Sequence, residues 1–150
     1  MFRYGTASKV HLSGVTPRLR GIFEKAIELV NFQIVDGIRT AAEQAINIRN
    51  GASRTVDSRH LPQPPDNLSN AVDAVVYPLD YDILERGYNA VKRIDPGLRI
   101  FEHYWALGVL AGIALERGVP LRQGIDWNHN GEFEDQTFLD LPHNEIPRGS

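Results

Sequence analysis

A chain of 150 residues without a single cysteine must be held together by its apolar core. That absence removes disulfide frameworks, thiolate zinc sites, iron–sulfur clusters and cysteine nucleophiles together. The length suits one domain and is short for two. The composition can supply the core, with 42% of residues hydrophobic and 23% charged, a globular rather than a disordered balance. Sixteen Lys plus Arg against nineteen Asp plus Glu leave a net charge of -3, which excludes nucleic acid and anionic membranes as partners held by bulk charge. Residues Met1 to Gly14 contain no apolar run of signal-peptide length. The longest apolar stretch, Tyr104 to Leu115, is bounded by Glu102, His103, Glu116 and Arg117. It is too short for a membrane anchor and reads as a buried helix. The expectation is a soluble single domain without an export signal.

Thr16-Pro17 is a helix start, Thr as N-cap and Pro at the first helical position. Leu19, Ile22, Phe23, Ala26, Ile27 and Val30 then repeat at three- and four-residue spacing and form one apolar stripe. Phe32 to Val35 is a short strand running into Asp36-Gly37. Thr40 and Glu43 form a capping box for a second helix that stops at Asn50-Gly51. Residues 51–70, with Pro62, Pro64 and Pro65, form a long ordered loop, a length that is usually functional. Ala71 to Tyr77 is a strand with Val72, Ala74 and Val76 on one face and Asp73 on the other. Helices are expected at about 82–94 and 98–117, closed by Gly118. A short strand near Leu121, a polar loop from Gly124 to Gln136 and a strand around His143 to Ile146 complete the chain. The fold class is α+β, helices packed on a small, mostly antiparallel sheet.

Of five histidines, His11 and His129 read as satisfied surface or core residues rather than ligands, and partial core burial accounts for His103 among Phe101, Tyr104 and Trp105. His60 and His143 stand in richer settings, after Ser58-Arg59 and after Asp140-Leu141-Pro142. Asp73 interrupts an otherwise apolar strand, where a carboxylate is costly unless paired or metal-bound. Two imidazoles and a carboxylate are a common ligand set for catalytic zinc. Taken by themselves, these residues leave two readings open, a zinc site and scattered polar residues.

Six segments occur in order: Gly37-Ile38-Arg39-Thr40, Gly51-Ala52-Ser53-Arg54-Thr55, Ser58-Arg59-His60-Leu61, Ala71-Val72-Asp73, Gly124-Ile125-Asp126-Trp127 and Asp140-Leu141-Pro142-His143. Over about residues 8 to 146, the chain resembles the zinc peptidase family of bacteriophage endolysins that cleave L-alanyl-D-glutamate bonds in peptidoglycan. The same family includes D-Ala-D-Ala carboxypeptidases and dipeptidases. The resemblance implies that His60, Asp73 and His143 bind Zn2+, that Asp140 is the catalytic carboxylate, and that Arg39 stands near the substrate carbonyl. It also implies that Ser58 helps to hold substrate. The chain would then be a monomeric phage endolysin without a separate wall-binding domain. It would collect in the host cytoplasm and reach peptidoglycan after another protein permeabilises the membrane. The alternatives are a D,D- or L,D-carboxypeptidase that trims stem peptides, and a non-catalytic, zinc-stabilised wall-binding module. Arg39 and Asp140 favour an enzyme, because a structural zinc site needs neither. Simpler roles for two of these residues are an ion pair of Arg39 with Asp36 or Glu43 and a turn at Ser58.

The chain departs from the family pattern at two places. His60 and Asp73 lie thirteen positions apart rather than seven, across the insertion LPQPPDNLSN, which makes Asp66 a rival ligand. Gln123 precedes Gly124 where an aromatic residue is more usual, so a different substrate wall is expected there. A second cation is also in view. Asp126, Asn128 and Asn130 put oxygen side chains at positions one, three and five, with Gly131 at six and Glu132 after it, the opening of a Ca2+ loop. Position twelve is Thr137 rather than Glu, so Asp135 would have to close the site. The competing reading is a solvated polar loop.

Overall fold

In the computed structural model, which describes residues 1–78 and 99–150, a four-stranded antiparallel sheet shares one apolar core with three of the four described helices. Strands β1 (Phe32–Asp36), β2 (Ala71–Val76), β3 (Arg122–Gln123) and β4 (His143–Glu145) lie in the order β1-β2-β4-β3. The described helices are α1 (Thr6–Ser13), α2 (Pro17–Ala26), α3 (Ala41–Arg49) and α4 (Arg99–Glu116). This is the expected α+β class. The helix expected at about 82–94 lies outside the described residues.

Helix α2 follows from its stripe. Leu19, Ile22, Phe23 and Ala26 are buried, and Phe23 meets Phe32 of β1 edge to face with ring centroids 6.0 Å apart. Val72, Ala74 and Val76 of β2 and Leu110 of α4 join the same cluster. Val75, on the opposite face of β2, is also buried, so β2 is a central strand covered on both sides rather than one with a single apolar face. A smaller cluster of Leu107, Ile125 and Leu141 lies beneath the loop that precedes β4.

Two local devices differ from expectation. Thr16 makes no side-chain cap to α2. Its hydroxyl donates instead to Asn70 Oδ1 at 2.9 Å, and the backbone around Ser69 bonds to Gly14 and Thr16. The Thr16 hydroxyl thereby tethers the far end of the long 51–70 loop. Helix α1 was not expected at all. Only Ser8 and Leu12 are buried, and its N-cap is Gly5 without a side-chain bond, so the sequence offers neither an apolar stripe nor a cap. By contrast, the Thr40–Glu43 capping box forms in both directions, and Gly51 takes the positive φ of +74° that ends α3.

Helix α1 matters to the site because it backs Gly37, the residue after β1. A Cβ at Gly37 would lie 2.3 Å from the His11 carbonyl oxygen and 3.2 Å from Val15 Cγ2. The obstacle is backbone, which cannot rotate away. Gly37→Ala should therefore destabilise the protein by roughly 1–3 kcal/mol, the cost of overpacking, lowering Tm by several degrees in a thermal melt.

Candidate active site

Pairing across the sheet brings the site together. In the β2–β4 register Asp73 stands opposite His143, which puts their side chains on one face at the short cross-strand distance. A register shift between Ile34 and Asp36 also places Asp36 opposite Asp73, a bulge of the kind that re-aims side chains near active sites. His60 arrives from the long loop, which is joined to the segment after β1 by Arg39 N–H donating to the His60 carbonyl at 2.9 Å. Ser58 is buried, and its Oγ accepts the His60 N–H at 3.2 Å, so its hydroxyl shapes the turn that presents the imidazole.

Three atoms converge. His60 Nε2 lies 3.1 Å from Asp73 Oδ1 and 3.3 Å from His143 Nδ1, and His143 Nδ1 lies 3.0 Å from Asp73 Oδ1. Among the described residues, His60, Asp73 and His143 form the group that can hold a metal ion. The outer ring nitrogens fix the tautomers. His60 Nδ1 donates to the Gly37 carbonyl at 2.6 Å, which leaves the Nε2 lone pair facing inward. His143 Nε2 donates to Glu145 Oε2 at 2.9 Å, which leaves Nδ1 facing inward. Metal-binding histidines are oriented in this way by their second nitrogen. Glu145 is buried and takes two guanidinium N–H groups of Arg122. The sequence reading missed Glu145, although its place two residues after His143 on one strand puts both on the same face.

Arg39 is buried beside Asp73. Its Nε and Nη2 donate to Asp36 Oδ2, its Nη1 to Gln44 Oε1 at 2.7 Å, and Nη2 stands 3.6 Å from Asp73 Oδ2. The guanidinium thus separates two carboxylates that the bulge sets side by side. Its ion pair is with Asp36, not Glu43, which is used by the capping box. Asp66 is exposed and lines a separate groove with Pro64 and Pro65, so the strand aspartate and not the loop aspartate joins the histidines. Gln123 does not line the cleft. Its amide donates to the Leu107 carbonyl and to Asn144 Oδ1, away from the cleft. The aromatic wall consists of Trp127 and Phe138, whose rings stack with centroids 6.2 Å apart, and Trp127 leans on the His143 ring at 5.1 Å.

These groups line an open cleft of about 700 Å³, with Asp140 beside the convergent trio. Asp140 is locked by its backbone: its N–H donates to the Gly124 carbonyl, and its carbonyl accepts the His143 N–H. A Cβ at Gly124 would lie 2.2 Å from the Asp140 carbonyl oxygen, so glycine is required for this approach. Burial, then the charge of Asp73, pushes the Asp140 carboxyl up to about 6. Burial opposes ionisation of Asp73 as well, but the two imidazoles overcome it and hold that carboxyl well below the usual range. Burial likewise disfavours charge on His143, yet hydrogen bonds to Asp73 and Glu145 raise it to about 10.

The calcium-loop candidates are gathered without a Glu at position twelve. Asp126 Oδ2 accepts Gly131 N–H at 2.9 Å, Asn128 and Asn130 amides both donate to Asp135 Oδ2, and Asn130 Oδ1 accepts Glu132 N–H. Asp135 thus meets positions three and five through their amide N–H groups.

Two tests follow from this geometry. Glu145→Gln removes the anion that orients His143 and should weaken metal binding about 10- to 100-fold in a competitive chelator titration, with the fold retained. Metal uptake near pH 7 should release about one proton from His143 into weakly buffered solution. Affinity should accordingly climb about tenfold per pH unit between pH 7 and 9, since His143 titrates above that window in the metal-free protein.

Comparison with known proteins places this cleft in a lineage. The chain is 34% identical to the L-alanyl-D-glutamate peptidase of Escherichia phage T5 over 157 residues of alignment, covering 99% of this chain and 92% of that protein. It also superposes on the crystal structure of the L-Ala D-Glu endopeptidase ChiX of Serratia marcescens with a TM-score of 0.66 and 25% identity, covering 97% of this chain and 90% of that one. A family model described as phage L-alanyl-D-glutamate peptidase matches residues 1–146, and the chain accordingly belongs to that peptidase family.

Proposed function

We propose that the chain is an endolysin that uses Zn2+ to hydrolyse the L-alanyl-D-glutamate bond of peptidoglycan stem peptides. The observation that carries the reading is the convergence of His60 Nε2, Asp73 Oδ1 and His143 Nδ1 in a cleft also lined by Asp140 and Arg39. Two imidazoles and one carboxylate leave a fourth tetrahedral position open, as a catalytic zinc site requires. When bound there, zinc would lower the pKa of a water from about 15.7 to about 7 and polarise the scissile carbonyl.

The protein's own groups do the rest. Asp140, raised to about 6, is matched to take a proton from the attacking water near neutral pH and return it to the leaving amine of D-glutamate. Arg39 carries a fixed positive charge beside Asp73, placed to stabilise negative charge on the substrate carbonyl oxygen. Ser58 shapes the turn at His60 and supplies a hydroxyl at the cleft wall for the substrate backbone. Trp127 and Phe138 give the peptide an apolar surface to lie on. No helix among the described residues is long and apolar enough to cross a membrane. We place the protein as a monomer in the host cytoplasm, reaching the wall after another protein opens the membrane. Sedimentation should give the mass of one chain.

Mass spectrometry of digested peptidoglycan should find new amino groups on D-glutamate and no new reducing sugar ends. Free D-alanine as the sole product would establish the carboxypeptidase reading instead. His60→Ala, Asp73→Ala and His143→Ala should each lose both zinc and lysis, while Asp66→Ala keeps its metal. Asp140→Asn should lower kcat about 10²–10⁴-fold with zinc content unchanged; near wild-type turnover in that variant would remove Asp140 from the mechanism.

Calcium is a second cofactor in this reading, supported by the loop in which the Asn128 and Asn130 amides meet Asp135, Asp126 takes the Gly131 N–H and Asn130 takes the Glu132 N–H. Adding calcium to zinc-loaded protein should raise Tm and activity by about the millimolar range, the weak end of calcium loops. Asp126→Ala should abolish that response.

A further inference from the structure

Five arginines line the cleft, and four are committed. Arg39 is held by Asp36 and Gln44, Arg122 by Glu145, and Arg148 by Asp57. Arg59 donates to the Ile146 carbonyl and to Gln63 Oε1. Arg54 differs from all of them. It is exposed, and among the described residues its guanidinium has neither a hydrogen-bond acceptor nor an ion pair. Its Cζ instead sits 4.6 Å from the centroid of Phe138.

That seat is connected to the chemistry. Phe138 stacks on Trp127, and Trp127 leans on His143, so a continuous run of rings leads from a metal-binding imidazole to the free guanidinium. Stacking on an aromatic face orients the planar fork without using its N–H donors. A cation held in this way, with its donors open along a substrate cleft, is prepared for a planar anion that binds bidentately.

The substrate supplies such anions. D-Glutamate in a stem peptide is joined onward through its γ-carboxyl, so its α-carboxylate stays free on the carbon beside the scissile nitrogen. The third residue of the stem can offer another. We infer that Arg54 is the specificity residue that recognises a free carboxylate of the stem peptide on the leaving-group side of the scissile bond. The inference rests on the stem-peptide reading above. Arg54 is a binding residue here, distinct from the proton-handling Asp140 and from Arg39.

The test uses zinc-loaded protein and the synthetic peptide N-acetyl-L-Ala-γ-D-Glu-L-Lys in three forms: unmodified, amidated at the glutamate α-carboxylate, and amidated at the lysine carboxylate. Wild type should lose roughly ten- to hundredfold in kcat/KM on one amidation, the usual cost of a lost charge-assisted hydrogen bond, and the peptide that suffers identifies which carboxylate is read. In Arg54→Gln the ratio between free and amidated peptide should fall toward one, and Arg54→Lys should restore only part of it. The preference of wild type should also shrink with added salt. An Arg54→Gln variant that discriminates as wild type does overturns the inference while leaving the peptidase reading intact. Wild type that discriminates against neither amidated peptide overturns it too. Wild type that cleaves none of the three peptides, while digesting peptidoglycan at another bond, removes the stem-peptide reading and the inference with it.

Discussion

The ionised carboxylate of Asp73, set into a central strand with only 18% of its side chain exposed, is the constraint on which the rest of the site depends. A charge in that position costs several kcal/mol unless it is compensated. Compensation comes from three elements at once: His143 from the neighbouring strand, His60 from the long loop, and Arg39 from the segment after β1. Each must arrive at the right depth, and each arrival fixes a piece of backbone. The register shift in β1, the Gly37 carbonyl beneath His60 and the turn at Ser58 all serve to deliver one of these partners. The fold around the cleft is thus organised by one charge that the sheet cannot hold unaided.

A second pattern is alternation of sign. Across the site the order is Asp36, Arg39, Asp73, His143, Glu145 and Arg122, each group touching the next with opposite charge when His143 is protonated. Such a row sets each of these six groups against a neighbour of opposite sign. It also keeps Asp73 and both imidazoles aimed at one point.

Parts of this were legible in the sequence because they are local. The stripe of α2, the capping box at Thr40 and the glycine stop at Gly51 are written in neighbouring residues, and they formed as read. Asp73 was conspicuous because a lone acid in an apolar strand requires a reason. Other features depend on partners distant along the chain. Helix α1 has no stripe because it buries only Ser8 and Leu12; its place is dictated by the sheet it covers. The Thr16 hydroxyl left the cap it was expected to make because Asn70, far along the chain, offered an acceptor. Glu145 looked like any acid near the terminus until the β3–β4 pairing set Arg122 opposite it. Gln123, in place of the usual aromatic residue, turns its amide to the Leu107 carbonyl of α4, and the cleft takes its aromatic wall from Trp127 and Phe138.

The loop between Gly124 and Asp140 shows how these local and distant constraints divide the labour of the cleft. Its two ends are pinned to one another, Asp140 N–H to the Gly124 carbonyl and Gly124 N–H to the His143 carbonyl, with no space at Gly124 for any side chain. Rearrangement within residues 126–136 therefore cannot move Asp140 without breaking that lock. It can move the wall. Gln136 accepts the Trp127 N–H and donates to Asn128, and the Trp127 indole donates to the Phe138 carbonyl, so the polar cross-links of the loop end on the two rings that wall the cleft. A change within this loop would shift Trp127 and Phe138, while the position of Asp140 is set independently by the Gly124 lock. The aromatic wall and the Asp140 carboxyl are thus positioned by different segments, although they meet in one cleft and are separated by only a few residues of chain.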